Sequence, residues 1–446
     1  MSLNFPAAKR IPYAPTLQVP IPRSARWNQG LGFFVGFVIQ FNMLVGGGAE
    51  GASATGGFGY RLIDFTALGL AFILGIHSIA PHRILPLALY GLTVGALFLP
   101  ALATVDDPRT ILLIYHYILY SFAALYVAVL LSDTSALNRF CWGLTIGLLA
   151  SVPIFVLQNW GWSRTLLDWG LMPGYTNVFG AVARDIPRYS GLWAHPNEAG
   201  HIAALAAAAG AYLTIAQRRL LPVILVAAGL LAVFYYSWCR GALIAGVAVL
   251  AIPFFVSRGR AKTSRLVFML PIFIIAIVAL SQLDFVASRF ENDQNAANNV
   301  TDRFASLLGG MRVMLANPFG MSIAYFLSSI AAATGGIGSP HNGFIFLGGV
   351  LGLMPLLVFL AACAASLRIR DDTDLFFALL TLQVVVSFMF EQLPGSFPYA
   401  FAICLISANA FIKTGIGGAL KSRVTQSNHI GLAARRRNLS KLKQNS

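Results

Sequence analysis

Apolar runs of about 20 residues recur from near one end of this chain to the other, and charged residues fall almost entirely between them. A hydrocarbon core of roughly 30 Å takes about 20 apolar residues of helix to cross. Runs 84–105, 111–131 and 343–366 each reach that length. With 57% of its residues hydrophobic and 11% charged, the chain has little from which to build a water-soluble surface. The expected fold is all-α, a polytopic integral membrane bundle of about 12 transmembrane helices. The spans are read at 30–48, 63–80, 84–105, 111–131, 137–157, 199–216, 220–236, 241–256, 266–282, 343–366, 375–390 and 396–412. Glycines and Asn42 make the first the weakest.

Lys and Arg in short loops and tails mark the cytoplasmic side. Lys9, Arg10, Arg23 and Arg26 precede the first span; Lys421, Arg423, Arg435, Arg436, Arg437, Lys441 and Lys443 follow the last. These residues carry most of the net charge of +15. The loops bearing Arg83, Arg139, Arg218, Arg258 and Arg368 are also basic, as an even number of spans requires. The chain therefore divides into a cytoplasmic tail (1–29), a membrane domain (30–412) and a second cytoplasmic tail (413–446). A basic tail beside a span orients the protein and meets anionic lipid, so no nucleic-acid partner is expected. The proline-bearing N-terminal stretch has no apolar core beside its charges and does not read as a cleavable signal. Cys141, Cys239, Cys363 and Cys404 have neither metal-ligand spacing nor the pattern of a disulfide scaffold.

Two outward loops are long. The first, 158–198, holds Trp160, Trp162, Trp169 and Trp193, a density suited to the membrane interface. An aromatic belt does not account for Arg184, Asp185 and Arg188, or for the run from Ser190 to Glu198 that enters the next span with Pro196 and Asn197 near its start. In the second loop, 283–342, Thr301 can cap an amphipathic helix whose apolar positions are Phe304, Leu307, Leu308, Met311, Met314 and Leu315. It should lie on the outer surface or cover a cavity. A breaker, Asn317-Pro318-Phe319-Gly320, ends it, and a looser stretch then reaches His341.

His341 and Asn342 stand at the mouth of a span. Either a residue there caps the helix and His341 is a polar interface group, or His341 is a general base, its pKa lying nearest neutrality. Arg188 and Arg240 lie on the side that should be poor in arginine, and two guanidinium forks suit a doubly negative diphosphate. Arg289, Arg303 and Arg312 are further arginines that also fit a solvated helix face. His77 and His116 read as isolated intramembrane histidines, and Glu391 as an acid near the outer end of a span.

The run Arg188-Tyr-Ser-Gly-Leu-Trp-Ala-His-Pro-Asn-Glu-Ala-Gly200, then Cys239-Arg240-Gly241-Ala242, then His341-Asn342-Gly343-Phe344, resembles the O-antigen ligase and polymerase superfamily of bacterial membrane glycosyltransferases. The likeness covers 188–360; the first 150 residues and the basic tail carry no part of it. One position departs from the pattern: Cys239 stands where a small polar residue such as serine is expected. The resemblance implies a bacterial inner-membrane enzyme with its active site on the periplasmic side. Its donor would be an undecaprenyl-diphosphate-linked oligosaccharide, its acceptor a glycan or lipid A–core. Flippase and chain-length regulator proteins would be its partners, beside membrane lipids. Arg188 and Arg240 would hold the pyrophosphate and His341 would assist the acceptor hydroxyl, with Asn197, Asn342 and Arg312 in support. Under this scheme neither metal nor other cofactor is expected. The motifs do not separate a polymerase of exopolysaccharide or O-antigen repeat units from a ligase. The rival class is a transporter or flippase of lipid-linked oligosaccharide, which should bind near the bilayer midplane with broken helices or repeated halves.

The topology is directly testable. In a cysteine-free background, an impermeant thiol reagent applied to intact cells should modify cysteines placed at Trp169 and Asn295 and not at Ser427. Labelling at Ser427 would reverse the orientation and move the candidate site to the wrong side.

Overall fold

A computed structural model describes residues 23–41, 61–77, 81–171, 178–179, 187–193, 195–256, 294–336 and 340–414. The described residues are mostly helical, with one pair of two-residue strands among them. In chain order come α1 (Arg23–Gln40), α2 (Leu62–His77), α3 (Pro81–Ala103), α4 (Pro108–Leu130), α5 (Thr134–Asn159) and the short α6 (Ser163–Asp168). Strands β1 (Val178–Phe179) and β2 (Pro187–Arg188) pair antiparallel, Val178 opposite Arg188. There follow α7 (Pro196–Gln217), α8 (Leu221–Ser237), α9 (Arg240–Val256), α10 (Gln294–Ala316), α11 (Ile323–Thr334), α12 (Gly343–Leu351) and α13 (Leu353–Ser366). After α14 (Asp372–Phe388), a 3-10 turn (Leu393–Gly395) leads into α15 (Phe397–Ile412).

Among the described residues, four helices are long and apolar enough to cross a bilayer: Leu85–Ala103, Pro108–Leu130, Thr134–Asn159 and Pro196–Gln217. Shorter apolar helices accompany them, among them Leu62–Ile76, Leu221–Ser237, Arg240–Phe255 and Phe397–Ile412. The expected span at 266–282 lies outside the described residues.

The core is organised around α7. Of its apolar window 89% is buried, far more than in the other three long helices. A helix that is apolar all round belongs inside a bundle, and the alanines between Ala203 and Ala211 keep α7 thin enough for α5, α8, α9 and α14 to pack on it. The α1–α5 contact is closer still. Gly32 and Gly36 on one helix and Gly143 and Gly147 on the other, each pair spaced by four residues, press against the partner backbone, Gly32 against Ala136 and Gly147 against Phe37. A Cβ on Gly36 would run into the Phe140 carbonyl oxygen, and one on Gly143 into that of Phe33. Small residues at this spacing let two backbones meet where lipid offers no hydrophobic drive for association.

Helices α4 and α15 run parallel, because His116 meets Phe397 at 4.6 Å between ring centroids and Tyr120 meets Phe401 at 5.9 Å, both chains advancing together. The α3–α4 connection and the 3-10 turn thus lie at one end of the bundle. At the other, Thr373 donates to the Leu131 carbonyl at 3.3 Å and Lys413 pairs with Asp374 at 2.6 Å.

Three expectations about the second long loop and its following span need correction. The run 343–366 is not one helix: Gly352, at φ 100°, breaks it into α12 and α13. The backbone groups freed there are taken up by the preceding turn, Leu353 N–H donating to the Pro318 carbonyl at 2.8 Å and Met321 N–H to that of Gly349 at 3.1 Å. Only glycine adopts this backbone without strain. Secondly, α10 starts at Gln294 rather than near 301, and its greasiest side is not its packed side. Ser306, Gly309, Gly310 and Met314 are buried, whereas Phe304, Leu308, Met311 and Leu315 are exposed. Small residues win the contact because Gly310 lets the helix approach Ile345 of α12. Thirdly, the stretch after the breaker is the helix α11, capped by Ser322 and closed by Gly335 at φ 74°.

The α1–α5 contact predicts a stability pattern. Gly36→Leu and Gly143→Leu should each cost about 1–3 kcal/mol or more through overpacking, read as a lowered thermal midpoint in detergent. Gly30→Leu, where a Cβ meets nothing within 4 Å, should leave the midpoint unchanged.

Candidate functional site

Four segments from distant parts of the sequence meet at the end of the bundle that carries the 3-10 turn. The first is β2 with the chain after it, tied down by Tyr189 N–H donating to the Tyr236 carbonyl at 3.0 Å. The second is the start of α7, where Pro196 occupies the first helical position and His195 Nδ1 accepts from Asn197 N–H at 3.1 Å. Proline there gives up no helical hydrogen bond. The third is the turn after α14, and the fourth the start of α12, which Asn342 caps by accepting from Phe344 and Ile345 N–H at 3.0 and 3.1 Å.

A chain of polar contacts joins the four. Arg188 donates through Nε to the Ser237 carbonyl at 2.9 Å and through Nη2 to Asn197 Oδ1 at 2.5 Å. Asn197 Nδ2 donates to Glu391 Oε2 at 2.8 Å. Glu391 Oε1 accepts from Gln392 N–H at 3.2 Å and stands 3.6 Å from His341 Nδ1, a contact longer than a hydrogen bond. His341 has φ 42°, in the left-handed region, where histidine is tolerated better than most side chains. That backbone turns the chain sharply into α12.

Burial works to raise the Glu391 pKa, but the neighbouring His341, the Asn197 hydrogen bond and the Gln392 N–H together outweigh it and bring it down to about 2. The carboxylate is therefore charged at any physiological pH. Burial also lowers the pKa of the Arg188 guanidinium; Cys239 and Glu391 pull it up, and the like charge of Arg240 pushes it down. An arginine stays protonated through shifts of this kind. Arg240, the exposed first residue of α9, is thus within electrostatic range of Arg188.

Beside this chain lies a cleft of about 390 Å³, walled by residues that include His195, Asn197, His341, Glu391 and Phe346. Among the described residues, no group of three His, Cys, Asp or Glu is placed to hold a metal ion.

The structure thus brings Arg188, Asn197 and His341 together and sets Arg240 nearby. Asn342 serves as a helix cap, one of the two roles open to that pair of residues. Arg312 does not join them: it is exposed and lies about 200° around α10 from the buried Gly310. Arg303, about two turns before Gly310, is exposed as well. Its charge reaches Cys239, whose thiol burial pushes up to about 12 against the pull of Arg188 and Arg303. Arg289 lies outside the described residues. Cys239 fills the place expected of a small polar residue by packing: its Sγ lies 3.5 Å from the Asn197 carbonyl, and a Cβ on Gly200 would meet its Cβ at 2.5 Å.

Sequence reasoning marked Glu391 as an acid near a span end without giving it a place in the site, although it is the group that links the two halves. Its signal was its isolation, a lone acid in a long apolar stretch. His116, read as isolated, is not. Its Nε2 is 3.3 Å from Asp64 Oδ1, which also accepts from the Tyr120 hydroxyl at 2.5 Å. Arg61 sits beside this cluster, its guanidinium 5.7 Å from the Trp193 ring and 5.1 Å from that of Phe397. The side chain of His77 lies outside the described residues.

No protein-family model matches the chain, and no curated protein sequence matches it.

Glu391 gives the site a pH signature. Its folded value of about 2 lies below its ordinary 4.5. Its stabilising contribution is therefore complete above pH 4.5 and is lost as pH falls toward 2. Glu391→Gln should flatten the acid limb of stability in that window, followed by tryptophan fluorescence in detergent. Equal slopes for the two proteins would show that the carboxylate is not held by these contacts.

Proposed function

We propose that this chain is an inner-membrane glycosyltransferase of the O-antigen ligase and polymerase type, acting at the periplasmic face on undecaprenyl-diphosphate-linked glycan. It would polymerise exopolysaccharide or O-antigen repeat units, or ligate a glycan to an acceptor such as lipid A–core. In this reading the chain has about 12 spans, both termini are cytoplasmic, and the end of the bundle bearing His341 faces the periplasm. The observation that carries it is the polar chain from Arg188 through Asn197 and Glu391 to His341. It couples an anion-binding group to a candidate base across four segments.

The acceptor hydroxyl oxygen attacks the anomeric carbon of the donor sugar, and His341 takes the hydroxyl proton. The bond from that carbon to the diphosphate oxygen breaks, and its electrons leave with the lipid diphosphate. Arg188 has committed Nε and one Nη2 proton to the protein. The rest of its five-donor fork suits a phosphate, and Arg240 adds a second positive charge. Stabilising the charge that develops on the leaving group is the larger part of such catalysis. The Glu391 carboxylate beside Nδ1 stabilises the imidazolium formed on His341, the service a buried carboxylate gives a catalytic histidine elsewhere.

Two observations favour the second reading, a transporter of lipid-linked oligosaccharide. The helix interrupted at Gly352 and the buried Asp64–His116–Tyr120 cluster are both features that transporters use. The convergence of arginines, histidine and cleft at one end of the bundle fits the enzyme better than a midplane site.

Substitution separates the two. His341→Ala should reduce conversion of lipid-linked repeat units into longer or ligated glycan by about 10²–10⁴-fold with the protein still inserted. Arg240→Lys should also fail, since an ammonium cannot make the planar two-point contact. Near-normal turnover in His341→Asn and Arg240→Lys, or turnover abolished by a chelator, would remove the mechanism in favour of transport.

A further inference from the structure

We propose that the cleft beside His341 is a sugar subsite and not a phosphate subsite, and that Gln392 and Ser396 hold acceptor hydroxyls in it. The proposal rests on the glycosyl-transfer reading and assigns one of its two substrates to a place.

The charge of the walls separates the two ligand classes. Glu198 and Glu391 line the cleft with His195 and His341, whereas Arg188, Arg240 and Arg303 are not among the described residues that wall it. Two carboxylates repel a diphosphate at this range. Carboxylate, amide and hydroxyl groups together are the donors and acceptors that match a sugar's hydroxyls. The diphosphate is then left to Arg188 and Arg240, which do not wall the cleft, and His341 is the cleft group that would take the acceptor's proton.

Two polar atoms at the cleft are left over from folding. Ser396 occupies the N-cap of α15, where a serine oxygen normally accepts from the first turn. It makes no such bond. Its hydroxyl is buried, the residue being 7% exposed, and has no partner among the described residues. Gln392 Oε1 is likewise buried and without a partner among them. Buried polar groups are seldom left unpaired in a folded protein unless they serve something else. Both residues line the cleft, and Gln392 adjoins the carboxylate that faces His341. A hydroxyl held by Gln392 would share the cleft with His341, the group that would take its proton.

The remaining walls suit the less polar faces of a pyranose. Ile323, Leu327, Phe346 and Leu393 contribute them. The volume of about 390 Å³ falls within the 300–1,000 Å³ usual for small-molecule sites.

The full chain in lipid nanodiscs provides the test. Glucose, galactose and N-acetylglucosamine serve as sugar probes by saturation-transfer NMR, and inorganic pyrophosphate as the anion probe by phosphorus line broadening. The paired substitution Gln392→Ala with Ser396→Ala removes atoms that hold nothing in the fold, so the protein should remain intact. It should weaken the sugar signal by about ten-fold while leaving pyrophosphate broadening unchanged. Arg240→Gln should do the reverse. In the transfer assay the same pair should raise the acceptor KM and not the donor KM. A sugar signal that is absent in the wild type, unchanged in the paired variant, or lost together with pyrophosphate broadening would overturn the subsite. Sugar binding that depends on both residues in a protein showing no glycosyl transfer would support the subsite and reject the enzyme reading.

Discussion

A carboxylate largely withdrawn from water must be neutralised by protonation or paired, because an isolated charge there is too costly. Glu391 is paired, and the architecture at one end of the bundle follows from how. Asn197 presents its amide to one oxygen, while the Gln392 backbone and His341 address the other. Asn197 spends its own carbonyl oxygen on Arg188. Removal of one link leaves a neighbour unsatisfied, so the four segments are held as a set.

What places those groups is the packing below them. Asn197 is the second residue of α7, the most enclosed long helix, so its position is fixed by the whole bundle rather than by a loop. Arg188 is held beside it by the Ser237 carbonyl at the end of α8, which Trp238 closes in the left-handed conformation at φ 56°. His341 is positioned from the other side. The start of α12 is fixed by its Asn342 cap, and its end by backbone bonds around Gly352.

The membrane-spanning character and the positions of α3, α4, α5 and α7 were legible in the sequence because length and apolarity suffice to define such helices. Arg188, Asn197 and His341 were legible as polar groups at helix mouths. Glu391 was not given its place because its partners lie 194 and 50 positions away, a relation that no local pattern encodes. Apolar periodicity misled at α10. It identified the helix and mistook the packed face, since Gly309 and Gly310 take the helix–helix contact and leave Phe304, Leu308, Met311 and Leu315 exposed. The break at Gly352 was hidden for a related reason: an apolar run reads the same whether its backbone is continuous or divided.

Many of the bonds that frame this end of the molecule run to main-chain atoms. Ser237, Tyr236, Pro318 and Gly349 each contribute a carbonyl oxygen, and Tyr189, Met321 and Leu353 an N–H. Such contacts ask for a path of the chain and not for particular side chains along it. Residues at these positions can drift in identity, provided the glycine at 352 and the turn at 238 persist, while the few groups facing the cleft stay in register. A scaffold secured in this manner can travel far in sequence space with its geometry intact, so kinship with other such bundles would have to be sought in shape.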